Sequence, residues 1–150
     1  MHELQELISV LLLYRSNFHV LHWNAVGKEF DSTHKNITAE YYDDCLETAD
    51  VIAEMIARLG GNPPNYKEVL EIIESADTEY LMIESGKLYD KDDIQKYSDV
   101  MLKGICKCIE RALEADEMKC ACNVGIKAEL EGLHNKFDLQ ARYINARRKH

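Results

Sequence analysis

Two kinds of side chain able to hold a cation recur at fixed intervals in the first third of the sequence. The stretch "HVLHWNAVGKEFDSTH", His19 to His34, carries three of the six histidines and the only tryptophan, on either side of Gly27. Sixteen residues beyond His34 stands Asp50, and Glu54 follows at i+4. On a helix that spacing puts both carboxylates on one surface patch, where a single cation can bridge them. Imidazole nitrogen and carboxylate oxygen in one set make a binding site for a transition metal. The chemistry depends on which groups converge, and so on the elements that carry them.

Those elements are helices. Seven glycines and two prolines in 150 residues leave few breakers. Apolar residues step by three and four in four long segments. The first runs from Leu4 through Leu11 and Phe18 to Ala25, and the second from Phe30 through Tyr41 and Ile52 to Leu59. The second ends at Gly60-Gly61, a stop signal. The third opens at Asp92 or Asp93 as N-cap and runs through Met101 to Ala112; the fourth runs from Ile126 to Ile144. A long connection between the second and third carries a short amphipathic helix around Tyr66 to Ser75. No strand pattern competes. The pattern predicts an all-α, single-domain four-helix bundle of ferritin-like architecture over residues 1–150, with one long crossover.

A helical wheel then gives directions. Asp50 and Glu54 point about 180° to 220° from the centre of their helix's apolar stripe, away from the core. His22 lies on the flank of the first helix, with Trp23 further out, and His34 opens the second helix across the Gly27 corner. The imidazoles thus sit at one end of a helix pair and the carboxylates about 24 Å further along. They cannot meet within one chain, but can meet across a two-fold axis, each half-site completed by a second copy. The plainer reading is solvated surface charge; an outward indole beside His22 favours a covered face instead.

A formal charge of −9 argues against a nucleic-acid platform, and the one basic cluster is the terminal "ARRKH". The longest apolar runs are too short to span a bilayer, so no membrane association is expected. The start, "MHELQELISV", has no signal-peptide pattern. With five cysteines, an odd number, this predicts free thiols and a cytoplasmic location.

Three further clusters compete for a role. Glu131-x-x-His134 has the spacing of an intrasubunit di-iron motif, although the wheel leaves Glu131 exposed. Cys106/Cys108 diverge on a helix and cannot chelate together, whereas Cys120/Cys122 sit at a corner where they can converge. Glu114, Asp116 and Glu117 stand near that corner, as solvated charge or as the rim of a cation entry.

With these residues in view, the sequence resembles the mini-ferritins called Dps, DNA-binding proteins from starved cells. The text that carries the resemblance is "HVLHWNAVGKEFDSTH" followed by "DVIAEMIARLGGNPPNYKEVLE", over about residues 10 to 75. The resemblance implies a homo-oligomeric, dodecameric shell with ferroxidase sites at two-fold interfaces. His22 and His34 would come from one subunit and Asp50 and Glu54 from the next. It also implies iron(II) as substrate and peroxide or dioxygen as oxidant, with ferric mineral stored inside. Three departures stand out. The step from His34 to Asp50 is one residue longer than the family's, to be absorbed by a π-bulge or by a rotation of about 100°. Thr38 stands where many members carry another acid. A lysine-rich tail before the first helix has no counterpart, so DNA binding is expected to be weak or absent.

Overall fold

The computed structural model describes residues 1–27 and 34–148, with the side chains of 34–36 and 147–148 left out. Five α-helices account for most of it: α1 (His2–Trp23), α2 (Glu40–Arg58), α3 (Tyr66–Ser75), α4 (Lys91–Leu113) and α5 (Val124–Arg148). A π-helical turn, His34–Ala39, leads directly into α2. Among the described residues there is no strand; one bridge pairs Ala25 with Tyr89. No helix is long and apolar enough to cross a membrane among the residues described.

Helices α1, α2, α4 and α5 surround one core. Phe18 and Leu21 of α1, Ile52 and Ile56 of α2, Leu102 and Ile105 of α4, and Leu130 and Phe137 of α5 are all fully buried. Burial of one such side chain contributes about 1.5–3 kcal/mol. Phe18 also meets Tyr41 edge-on, ring centroids 5.5 Å apart, and so locks α1 to the start of α2. Gly60, at φ +84°, takes the left-handed conformation that ends α2.

Side chains hold the crossover, together with the backbone bridge at Tyr89. Buried Asn17 donates through Nδ2 to the Leu81 carbonyl at 2.8 Å and accepts from the Ile83 amide at 3.2 Å. The Tyr80 hydroxyl donates to Glu6, and Arg111 donates to Tyr80 Oη at 2.8 Å and to Cys108 Sγ at 3.3 Å. These bonds tie the connection to α1 and α4.

Two capping boxes fix where helices begin. Asn65 and Glu68 cap α3 reciprocally, at the boundary expected from the sequence. For α4 the cap is Asp90, with Asp93 as the third helical residue, rather than Asp92 or Asp93 as expected. Three acids in four residues each fit the N-cap preference; the reciprocal bond that Asp93 returns selects Asp90.

Candidate functional site

The carboxy-terminal turn of α1 presents His19, His22 and Trp23, and Tyr42 of α2 packs among them. His22 is half-buried, with Nδ1 3.0 Å from the hydroxyl of fully buried Thr38 and the ring edge-on to Tyr42 at 5.5 Å. His19 stacks on Trp23 at 5.0 Å, 17° between planes, and leans on Tyr42 at 4.2 Å. Trp23 is 70% exposed, an outward indole as the wheel required. Burial depresses the His19 pKa, and Arg15 and then His22 push it the same way against the pull of Asp43. His19 is therefore biased toward the neutral ring, which keeps positive charge away from its neighbour.

The π turn is one of the two ways of taking up the longer step to the carboxylates that the resemblance implies. A π turn carries one more residue than an α turn, so a one-residue insertion is absorbed without rotating the rest of the helix by about 100°. Beyond it Tyr41, Cys45, Ile52 and Ile56 all face the core, and Asp50 and Glu54 face outward and are exposed. Of the two ways the sequence left open, the chain takes the π turn.

His34 begins that turn, but its side chain lies outside the described residues, as do Lys28–Thr33. The three remaining candidates can be placed. His22 is level with Thr38, and Asp50 lies twelve residues further along, about 18 Å of helix. One chain does not bring the imidazole and the carboxylates together. Among the described residues no three His, Cys, Asp or Glu side chains converge as a metal-binding group.

The rival pair is placed differently. His134 Nε2 lies 3.5 Å from Glu110, across the α4–α5 groove, and Glu131 is exposed on α5. At the acidic corner, Asp116 pairs with Lys119 at 3.1 Å and Glu117 receives the Met1 ammonium, while Glu114 is exposed. The side chains of the basic end, Arg147–His150, lie outside the described residues.

One expectation is corrected. The odd cysteine count predicted free thiols, yet Cys120 and Cys122, placed by the sequence at a corner where they can converge, form a disulfide, and Cys45, Cys106 and Cys108 are free. The cause is local. The corner is extended at Cys120 and then turns once in 3-10 form over Ala121–Asn123, so residues two apart converge instead of diverging as on an α-helix.

Two participants are not evident from the sequence. Thr38 reads there only as a missing acid, whereas its hydroxyl orients His22. Tyr42 carries no signal beyond its place at i+4 from Thr38, on the same face of the helix. Periodicity sorts residues into core and surface, and it does not report a contact between two helices.

Against known proteins, the ferritin-like domain family matches residues 1–91. A curated relative, the DNA protection during starvation protein of Porphyromonas gingivalis, is 34% identical over 91 residues, 60% of this chain and 57% of the relative. The shared stretch thus spans little more than half of that protein. Antigen TpF1 from Treponema pallidum superposes with a TM-score of 0.86 at 17% identity, covering 99% of this chain and 90% of that one. CAIP from Helicobacter cinaedi gives a TM-score of 0.81 at 18% identity, covering 97% and 96%. The Dps protein of Vibrio cholerae O1, described as a member of a broad superfamily of ferritin-like diiron-carboxylate proteins, gives 0.79 at 20% identity, covering 96% and 85%.

Proposed function

The chain belongs to the ferritin-like family, and from that premise we propose that it is a Dps-type ferroxidase that stores and detoxifies iron. Iron(II) is its substrate, bound between copies by His22 and His34 of one and by Asp50 and Glu54 of the other. The oxidant is hydrogen peroxide or dioxygen, and the ferric product is retained inside a dodecameric shell.

One observation carries this reading. Leu12, Ser16, His19 and Trp23 succeed one another at helical spacing on α1, all half-buried or exposed. Tyr42, Leu46, Asp50 and Glu54 do the same on α2, and the His19–Tyr42 contact joins the two rows. The face carries imidazoles at one end, carboxylates about 18 Å away, and apolar groups between. A two-fold axis through its middle lays the imidazole end of one copy over the carboxylate end of the other, twice. The apolar surface continues beside it, where Leu12, Leu13, Val69, Leu70 and Met82 line an open cleft of about 270 Å³. A covered face is the physical meaning of such a patch.

The donor set suits the reaction. Carboxylate oxygens favour iron(III) and imidazole accommodates iron(II), so both states are held. Few protein ligands leave positions open for the oxidant. Each iron(II) gives one electron; two together reduce one peroxide to two waters, with two protons taken up, and no hydroxyl radical is released. The net charge of −9 favours approach of the cation and disfavours DNA.

Anaerobic iron(II) titration followed by peroxide tests this directly. Saturable binding, ferric absorbance on peroxide addition, and iron that co-elutes with a large homo-oligomer are the expected results. A monomer in light scattering, with iron left free in solution, would overturn it.

A further inference from the structure

The corner between α4 and α5 carries a cysteine pair of its own, far along the chain from His22, Asp50 and Glu54. Cys120 and Cys122 are both exposed and are bonded to each other, with Cα atoms 5.3 Å apart. The Cys122 amide donates to Cys120 Sγ at 3.3 Å, a donor that favours negative charge on that sulfur. The Asn123 side-chain amide, donating to the Glu117 carbonyl at 2.9 Å, holds the turn in place.

The other three thiols are in a different situation. Cys45 and Cys108 sit in the core, and Cys106 is nearly as buried. Burial holds all three above the ordinary thiol range, Cys106 pushed up to about 11. Inert in the protonated form, they are structural. The five cysteines therefore divide into an accessible pair and three sequestered residues.

We propose that Cys120 and Cys122 form a peroxide-reducing dithiol site that cycles between thiol and disulfide at the protein surface, independently of the iron reading. In the reduced form the Cys120 thiolate attacks one oxygen of a hydroperoxide. The O–O bond breaks, a sulfenic acid forms on Cys120, and the departing oxygen leaves as water, or as an alcohol from an organic peroxide, after taking a proton. The Cys122 thiolate then attacks the Cys120 sulfur, closing the disulfide and releasing the sulfenic oxygen as water. Two thiols are oxidised by two electrons and one peroxide is reduced. Two molecules of a low-molecular-weight thiol, or one dithiol, return the pair to the reduced state by exchange, for which an exposed disulfide is well placed.

The test uses the full chain, free of iron and reduced with a dithiol that is then removed. A thiol reagent applied to the folded protein is expected to find two fast-reacting thiols. One equivalent of hydrogen peroxide removes both, the intact mass falls by two hydrogens, and reduced glutathione restores them. In Cys122→Ser the oxidation stops at a sulfenic acid on Cys120, which a dimedone-type probe captures. Cys122 is exposed, so its serine variant does not threaten the core. Fast thiols that survive peroxide, a mass gain of oxygen in place of the loss of hydrogen, or a disulfide that glutathione leaves intact would each overturn the proposal.

Discussion

The imidazole Nδ1 of His22 and the hydroxyl of Thr38 lie 3.0 Å apart, across the junction of α1 and the π turn. With Nδ1 committed to Thr38, Nε2 becomes the nitrogen through which His22 would meet a metal, and the ring is oriented from behind. Thr38→Val keeps the shape and removes the oriented hydroxyl. Such partners are worth about 10–100-fold in metal affinity or activity. Anaerobic titration should show iron(II) affinity lowered within that range for Thr38→Val and largely restored for Thr38→Ser. Equal affinity in all three proteins would mean that His22 is not held in this way.

The His19 pKa is depressed, first by burial and then by Arg15 and His22. The folded protein thus binds fewer protons than the unfolded chain between the lowered value and the ordinary one near 6.5. Stability from this group is present above the ordinary value and is lost as pH falls through the window below it. NMR titration of the ring protons should place the His19 midpoint below that of a free histidine. A midpoint above the ordinary value would contradict the burial and the charges around the ring.

Asn17 binds the crossover at two backbone groups, the Leu81 carbonyl and the Ile83 amide. Asn17→Ala leaves both without that partner, at about 1–3 kcal/mol for each buried group. Urea unfolding should shift to lower midpoints, and hydrogen exchange at the Ile83 amide should accelerate before the rest of the bundle opens. An unchanged midpoint would show that water replaces the side chain without loss.

Glu131 and His134 serve as the control for the site. His134 interacts with Glu110 rather than with Glu131. Glu131→Gln and His134→Ala should leave the initial rate of iron(II) oxidation within about twofold of the parent, since they touch none of the proposed ligands. Asp50→Asn with Glu54→Gln should lower it by at least tenfold, as expected when an acid ligand pair is lost. Stopped-flow absorbance compares the four proteins; the reverse pattern would favour a site inside the bundle.

The bundle was legible because its cause is periodic. Apolar steps of three and four from Leu4 to Leu21 and from Tyr41 to Ile56 mark the faces that are buried. The outward direction of Asp50, Glu54 and Trp23 followed from the same stripes, since whatever is opposite the core faces out. The short helix around Tyr66 to Ser75 was legible from its apolar face, while its Asn65–Glu68 capping box was not read from the sequence. Details that depend on two segments meeting were not legible. The His22–Thr38 bond, the wedge of Tyr42 and the Asn17 clamp join residues 16 to 66 positions apart. The convergence of Cys120 and Cys122 was legible from their place at a corner, but their bond was not. An odd cysteine count without a signal pattern argues from compartment and says nothing of local geometry.

Subunit mixing tests the central claim most directly. His22→Ala removes an imidazole and spares the carboxylates; Asp50→Asn with Glu54→Gln does the opposite. Each assembly alone should be nearly inactive in iron(II) oxidation. Denatured together in equal amounts and reassembled, half of the two-fold pairs are hybrids, and each hybrid regains one intact site of its two. Activity should therefore return to about a quarter of the parent. Mixed assemblies as inactive as their components, at the same size in light scattering, would contradict a site shared between copies.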